Sequence, residues 1–275
     1  MCDEVRYHYL RPAQAVVRRK QTPIAYIPIG TLEWHGIHNP LGADTLQAEH
    51  LAVLCAQKGG IAFPPLYYGE CRTEGMVEST SADREAIAEL MELDPVNFQP
   101  EKFIFTEVQQ NENYQRLLAH ILNQAETFGF KVAVIIAGHY PLVDHARAAA
   151  LLHNKRVRRA GKMLAWATAD YLHLMDKYDF AGDHGGGWET AHVMAINPDL
   201  VDLSLLPPKG EKIVGAGGKL EPQDATAEFG KKIFYEAAEI IVKESHHRLN
   251  FTSEYRRHGT SMKEGGGMKN GKDTL

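Results

Sequence analysis

A glutamate and a histidine stand two residues apart at Glu33 and His35, an aspartate follows at Asp44, and a further histidine, His139, lies between Gly138 and Tyr140. In an extended chain the side chains at i and i+2 share a face. Glu33 and His35 could therefore present a carboxylate and an imidazole together, a donor pair suited to Zn or Mn. The plainer reading is a polar loop with two unrelated side chains. Asp44 also carries two readings, because Asp is a favoured helix N-cap, while its two oxygens could also bind or bridge metal ions. His139, on a glycine-flanked loop, is a ligand candidate that backbone groups could equally satisfy. A second polar cluster runs Gly182-Asp183-His184-Gly185-Gly186-Gly187-Trp188-Glu189-Thr190. Three successive glycines let backbone and ligand approach closely. His184 could move a proton, and Glu189 could act in acid–base chemistry or as another ligand. Otherwise the stretch is a turn before a helix, with Glu189 favoured by the helix dipole. No GxSxG, Walker GxxxxGK[ST], HExxH or GxGxxG pattern competes.

Both clusters follow elements that could position them. Residues 24–29 (IAYIPI) read as a short buried strand, and 30–44 as a Gly-, Asn- and Pro-rich loop. A helix is expected over 44–57, with Leu46, His50, Val53 and Leu54 on one face and Gly59-Gly60 as its stop. Residues 61–65 form a second strand candidate. The acidic stretch 69–103 reads as an insertion or lid-like segment with a helix near 83–92. An amphipathic helix is expected over 111–128, and 131–137 (KVAVIIA) is the clearest buried strand, ending at Gly138-His139. Pro141 suits the start of a helix over 142–159. A strand over 162–168 and helices over 188–195 and 225–248 complete the pattern. Strand and helix in alternation predict an α/β fold: a single domain, mostly parallel sheet flanked by helices on both faces, spanning 1–262, with 263–275 as a Gly- and Lys-rich disordered tail. In such sheets sites form at the carboxyl ends of strands.

The bulk properties narrow the function. With 275 residues and 44% hydrophobic content the chain can bury a substantial core, and a net charge of −5 gives no general attraction to nucleic acid. No apolar run approaches the ~20 residues needed to cross a bilayer. The N-terminal MCDEVRYHYLRPAQ lacks the apolar segment of a signal peptide. Cys2, Cys55 and Cys71 lack zinc-ribbon spacing and make no disulfide framework, so a reducing cytoplasm is the expected compartment.

Together the segments resemble the creatininase family. Its pattern P-x-G-(S/T)-x-E-x-H-G-x-H-x-P-L-G-x-D-T stands here as Pro28-Ile29-Gly30-Thr31-Leu32-Glu33-Trp34-His35-Gly36-Ile37-His38-Asn39-Pro40-Leu41-Gly42-Ala43-Asp44-Thr45. Its strand-end G-H matches Gly138-His139, and its H-x-G-x-x-E-T matches the run from His184 to Thr190. The resemblance implies a centre of two divalent ions, Zn, Mn or Fe. Glu33 and His35 would each hold one ion, Asp44 would bridge both, and His139 would complete the first. Creatininase carries a glutamate two residues after the strand-end histidine, where this chain has Pro141. Glu189 is then the expected substitute as a metal ligand. His184 and Glu189 would be the catalytic groups, and Tyr140, Trp188 and Asp183 the substrate contacts, although Tyr140 and Trp188 could equally be core. The resemblance further implies a small-molecule substrate and a homo-oligomer, a hexamer among its forms.

Pro141, and the absence of the family's H-x-x-x-P-G-T pattern from 69–103, argue against creatinine as substrate. The expected activity is a metal-dependent amidohydrolase attacking another cyclic or linear amide, or a formamide, with a metal-activated water. The alternatives are a metal-dependent isomerase or lyase on a polar metabolite, and a non-catalytic metal-binding protein.

Overall fold

Alternate residues of three adjacent strands face opposite ways into two separate cores, and this parity organises the molecule. The computed structural model describes residues 4–69, 82–94, 96, 104–156, 163–255 and 259. Strands β1 (Ile24–Ile29), β2 (Ile61–Ala62), β3 (Val132–Ala137) and β4 (Leu164–Thr168) form a parallel sheet in the order β2-β1-β3-β4. Ile24, Tyr26, Val132, Val134 and Ile136 face one core, which they share with helices α2 (Ala43–Gln57), α6 (Gly187–Ile196) and α7 (Ala227–Asn250). Ala25, Ile27, Ile29, Ala133, Ile135 and Ala137 face the other, beneath α4 (Glu107–Thr127) and α5 (Leu142–Arg156). Both sheet faces are covered, which is why β1 and β3 are apolar throughout rather than alternating. This is the α/β fold expected.

The connections explain where a site can form. From β1 the chain crosses through α2 to β2 on one side, then returns across the opposite face through α4 to β3 on the other side. The direction of winding reverses between β1 and β3, and the carboxyl ends of these two strands open a crevice there.

Several element boundaries differ from expectation. Helix α1 (Pro12–Gln21), which starts at a proline, went unread. Strand β2 covers two residues rather than five, because Pro64 and Pro65 have no N–H to give the ladder. Phe63 N donates to Tyr26 O before them at 2.8 Å, and Leu66 N donates to Pro28 O after them at 3.1 Å. Helix α4 begins earlier, capped by Thr106, which exchanges hydrogen bonds with Gln109 in a capping box. Helix α2 is buried nearly all round, through Asp44, Gln47, Ala48, Leu51, Ala52 and Cys55, while His50 and Val53 are only half-buried. It lies between the sheet, α6 and α7, so the expected single apolar face was too narrow. Within the 69–103 stretch the described part holds α3 (Arg84–Leu90); the rest of that stretch lies outside the described residues, as does 263–275. Among the described residues no helix is long and apolar enough to cross a membrane.

Helices α6 and α7 touch backbone to side at Gly230, where an added Cβ would stand 1.9 Å from Ala191 O. Gly230→Ala should force the two helices apart and destabilise the protein by about 1–3 kcal/mol or more, read as a lowered Tm or urea midpoint.

Candidate metal centre

Two glycines allow the site to assemble. A Cβ on Gly138 would stand 1.8 Å from Asp44 O, and one on Gly30 would stand 2.4 Å from Thr45 Oγ1. The first turn of α2 therefore descends directly onto the ends of β1 and β3. Asp44 is not the helix cap, as one reading had it. Gly42 holds that place, and Asp44 is the second helical residue with its carboxylate turned into the crevice. The positive end of the helix dipole favours its charge there.

The loop after β1 closes on itself where Glu33 N donates to Leu41 O at 2.9 Å, with Gly36 turning at φ 80°. It delivers Glu33 and His35, both buried, to either side of Asp44. His139 arrives from the end of β3 and Glu189 from the first turn of α6. His139 Nδ1 lies 2.8 Å from Glu33 Oε2 and 3.2 Å from Asp44 Oδ2. His35 Nε2 lies 3.0 Å from Asp44 Oδ1 and 3.3 Å from Glu189 Oε2. Three donor sets result, Glu33/Asp44/His139, His35/Asp44/Glu189 and Glu33/His35/His184, each with its ligand atoms within 4.8 Å of one another. The first two share Asp44, one oxygen to each.

The donor chemistry calls for positive charge. Glu33, Asp44 and Glu189 are each no more than 4% exposed, and among the described residues no Lys or Arg is paired with any of them. His35 Nδ1 lies 3.1 Å from the Glu33 carbonyl, which can only accept, so Nδ1 carries the proton. Nε2 then faces two carboxylate oxygens, a contact that needs a proton or a metal ion between them. Burial opposes charge on His35, yet Asp44 and Glu189 outweigh it and push the imidazole up to about 10. His139 is driven the same way, against burial, by Asp44 and Glu33. Burial and then the neighbouring Asp44 push Glu189 well above the usual carboxylate range despite His35. The residues thus fit a group of cations, with protons standing in where ions would sit.

The other expected site residues divide. His184 stands at the mouth, 46% exposed, its Nδ1 4.0 Å from Glu33 Oε2 and its ring 4.6 Å from that of His35. Burial, and then the charge on His35, lower its pKa. Its backbone pairs with Gly217 in both directions. The hydroxyl of Tyr140 is buried without a hydrogen-bond partner, and its ring lies 4.4 Å from that of Tyr171. Trp188 packs in the core: it is fully buried, lies against Phe229, and donates from Nε1 to Asp170 Oδ2 at 2.9 Å. Asp183 lies before α6, whose N-cap is Gly186. Its oxygens accept from Trp188 N at 2.8 Å and Glu189 N at 3.2 Å, which ties down the first turn that carries Glu189.

Sequence reasoning missed the supports beneath the ligands. His38 Nε2 and Asn39 Nδ2 both reach Thr190 Oγ1 at 3.0 Å, joining the first loop to α6. Gln47 lies one turn after Asp44, a spacing that could have flagged it. Deeper still, His192 Nε2 is 3.4 Å from Asp170 Oδ2. The imidazole is uncharged, so this contact is not an ion pair. Neither ring nitrogen of His192 makes a hydrogen bond, and burial pushes His192 down to about 3 and Asp170 up to about 6.

Fold and site define a doubly wound parallel α/β protein with a shared-aspartate carboxylate–imidazole centre at its switch point. Residues 9–244 match the family described as Creatininase: creatinine amidohydrolase, and the chain belongs to this family. Solved structures share the fold. The crystal structure of creatinine amidohydrolase (creatininase) superposes with a TM-score of 0.63 at 18% identity, over 90% of this chain and 98% of that one. A mutant creatininase of Zn–Zn type gives 0.65 at 19%, over 90% and 98%. A structure described as creatininase Mn gives 0.62 at 19%, over 90% and 99%. No curated protein sequence matches the chain.

Gly138→Ala should displace Asp44 and abolish metal retention after dialysis, with a lowered Tm; full retention would contradict the close approach. The unfolded chain protonates His192 below about 6.5, whereas the folded chain resists until about 3. Stability from this group is complete above 6.5 and is lost as pH falls towards 3, by about 2 kcal/mol at pH 5. Asp170 acts oppositely: its folded form keeps a proton up to about 6, so its contribution is lost as pH rises from about 3.9 to 6. His192→Leu should flatten the loss on the acid side in urea unfolding at pH 7 and pH 5.

Proposed function

We propose that this protein is a metal-dependent amidohydrolase that cleaves the C–N bond of a cyclic or linear amide, or a formamide, other than creatinine. One observation carries the reading: the two oxygens of Asp44 face two different donor sets. Glu33, Asp44 and His139 would hold one ion, and His35, Asp44 and Glu189 the other. Glu189 supports this where Pro141 leaves no carboxylate on the loop after β3, because it reaches His35 from α6 instead. A pair of Zn, Mn or Fe dications supplies the charge that brings water ionisation near neutrality and polarises a carbonyl.

The chain's own groups do the rest. Glu33 and Glu189 flank the crevice with carboxylates that can accept a proton from an attacking water. His184, at the open mouth and with a lowered pKa, is neutral at pH 7. It can therefore take that proton and return it at Nδ1 or Nε2 to the leaving nitrogen. The buried Tyr140 hydroxyl is a donor for a substrate carbonyl or ring nitrogen. Trp34, buried between the two ligand positions of its loop, donates to Val214 O at 2.8 Å and packs on Ile87.

Metal per subunit, measured by elemental analysis on protein purified without chelator or metal-binding tag, should approach two. Asp44→Ala should lose both ions; full retention would remove its bridging role. His184→Ala should keep both and lose about 10²–10⁴-fold in turnover. Hydrolysis should place solvent ¹⁸O in the product acid, whereas an isomerase or lyase would not.

A further inference from the structure

We propose that Gln47 is the positioning residue of the centre, its amide nitrogen locking Glu189 so that Oε2 faces His35 and Asp44, and so setting the affinity of the second ion. The inference rests on the two-ion reading above and adds a residue to it that supplies no ligand atom.

Gln47 is 4% exposed and lies on α2 one turn beyond Asp44. Its Nε2 donates to Gly138 O at 3.1 Å and to Glu189 Oε1 at 3.2 Å. The Gly138 carbonyl can only accept, so the NH₂ end of the amide points to it, and the second hydrogen meets Glu189 Oε1. One planar group thus ties together α2, the end of β3 and α6. These elements bring Asp44, His139 and Glu189 respectively.

Glu189 depends on this bond for its orientation. Its Oε2 accepts from Gly185 N at 2.8 Å while lying 3.3 Å from His35 Nε2. Among the described residues Gln47 is the hydrogen-bond donor to Oε1. The surroundings of Gln47 are otherwise mostly apolar: Ala48, Leu51, Ile136 and Phe234, with Asp170 the charged exception. Without the amide, Oε1 would have to find a donor elsewhere, and Glu189 would rotate away from His35. The other carboxylates have no such dependence, since Glu33 and Asp44 are set by the loop closure and the first turn of α2.

The residue type follows from the same geometry. A glutamate at 47 would set a carboxylate against both a carboxylate and a carbonyl. An apolar side chain would leave Gly138 O and Glu189 Oε1 buried without a donor. The Oε1 atom of Gln47 is itself buried without a partner. The amide is thus held for what its nitrogen does, since packing alone would be better served by leucine or methionine.

The test is a stepwise titration of metal-free protein with Co²⁺, following d–d absorption and competition with a chelator. Wild type should bind two equivalents with separable affinities. Gln47→Met, of similar size but without a donor, should weaken the second equivalent about 10–100-fold and alter its absorption bands. The first should stay within about threefold, a ratio that general loosening of the fold would not produce. Gln47→Glu keeps the shape and should weaken the second ion in the same way, so it carries the test if the methionine variant does not fold. A folded variant with both affinities within threefold of wild type overturns the proposal. A wild type that saturates at one equivalent removes the two-ion reading instead, before any variant is compared.

Discussion

Asp44 carries a carboxylate buried between two imidazoles, with Glu33 and Glu189 on its flanks, and the rest of the structure is arranged to make that burial tolerable. Three carboxylates this close repel one another strongly in a low-dielectric interior, and a buried charge without a partner is among the costliest features a fold can hold. No lysine or arginine among the described residues is paired with them. The positive end of α2, the imidazoles of His35 and His139, and the cations the donor set is suited to are what offset the charge. Every glycine contact and every cap at the site serves to hold these groups at the right separations.

The sheet determines where this can happen. At the reversal of winding between β1 and β3 the helices lie on opposite faces, so the strand ends are uncovered and α2 can drop between them. Gly30 and Gly138 permit that descent by having no side chain. Two residues after the strand-end histidine the chain has Pro141, and the carboxylate of Glu189 reaches the site from α6. Asp183 accepts from two N–H groups of that helix's first turn, and Gly185 at φ 60° lets its loop pass against His35 O, where a Cβ would stand 2.7 Å away.

The segment before α4 also reaches the site, though at one remove. Asp83 accepts from Gly215 N at 3.0 Å and pairs with Lys212, while Ile87 packs on Trp34. The strap that runs from Lys212 to Gly217 is therefore gripped by Asp83 on one side and Trp34 on the other, and it ends paired to His184. The segment that holds α3 is thereby joined to His184 at the mouth of the site.

Much of this was legible in the residues alone. The apolar runs of β1 and β3, the alternation of strand and helix, and the ordered polar motifs are local patterns, and they marked the fold class and the residues Glu33, His35, Asp44, His139, His184 and Glu189. Local pattern did not separate the surroundings of Trp188 and Asp183: they sit inside one motif, yet Trp188 packs in the core while Asp183 bonds the first turn of α6. Asn39 and Asp170 carry no local signal and Gln47 only its spacing from Asp44, since each acts through partners more than a hundred residues away or across elements: Gln47 to Glu189, Asn39 to Thr190, Asp170 to Trp188 and His192. By itself, then, the sequence marked the candidate side chains and the segments that bear them. Only the tertiary structure decided which oxygen of Asp44 meets which histidine, and that Glu189 comes to His35 from α6 with Gln47 bonded to its other oxygen. Those are matters of a few tenths of a nanometre between distant segments, and they are set by packing rather than by spacing along the chain.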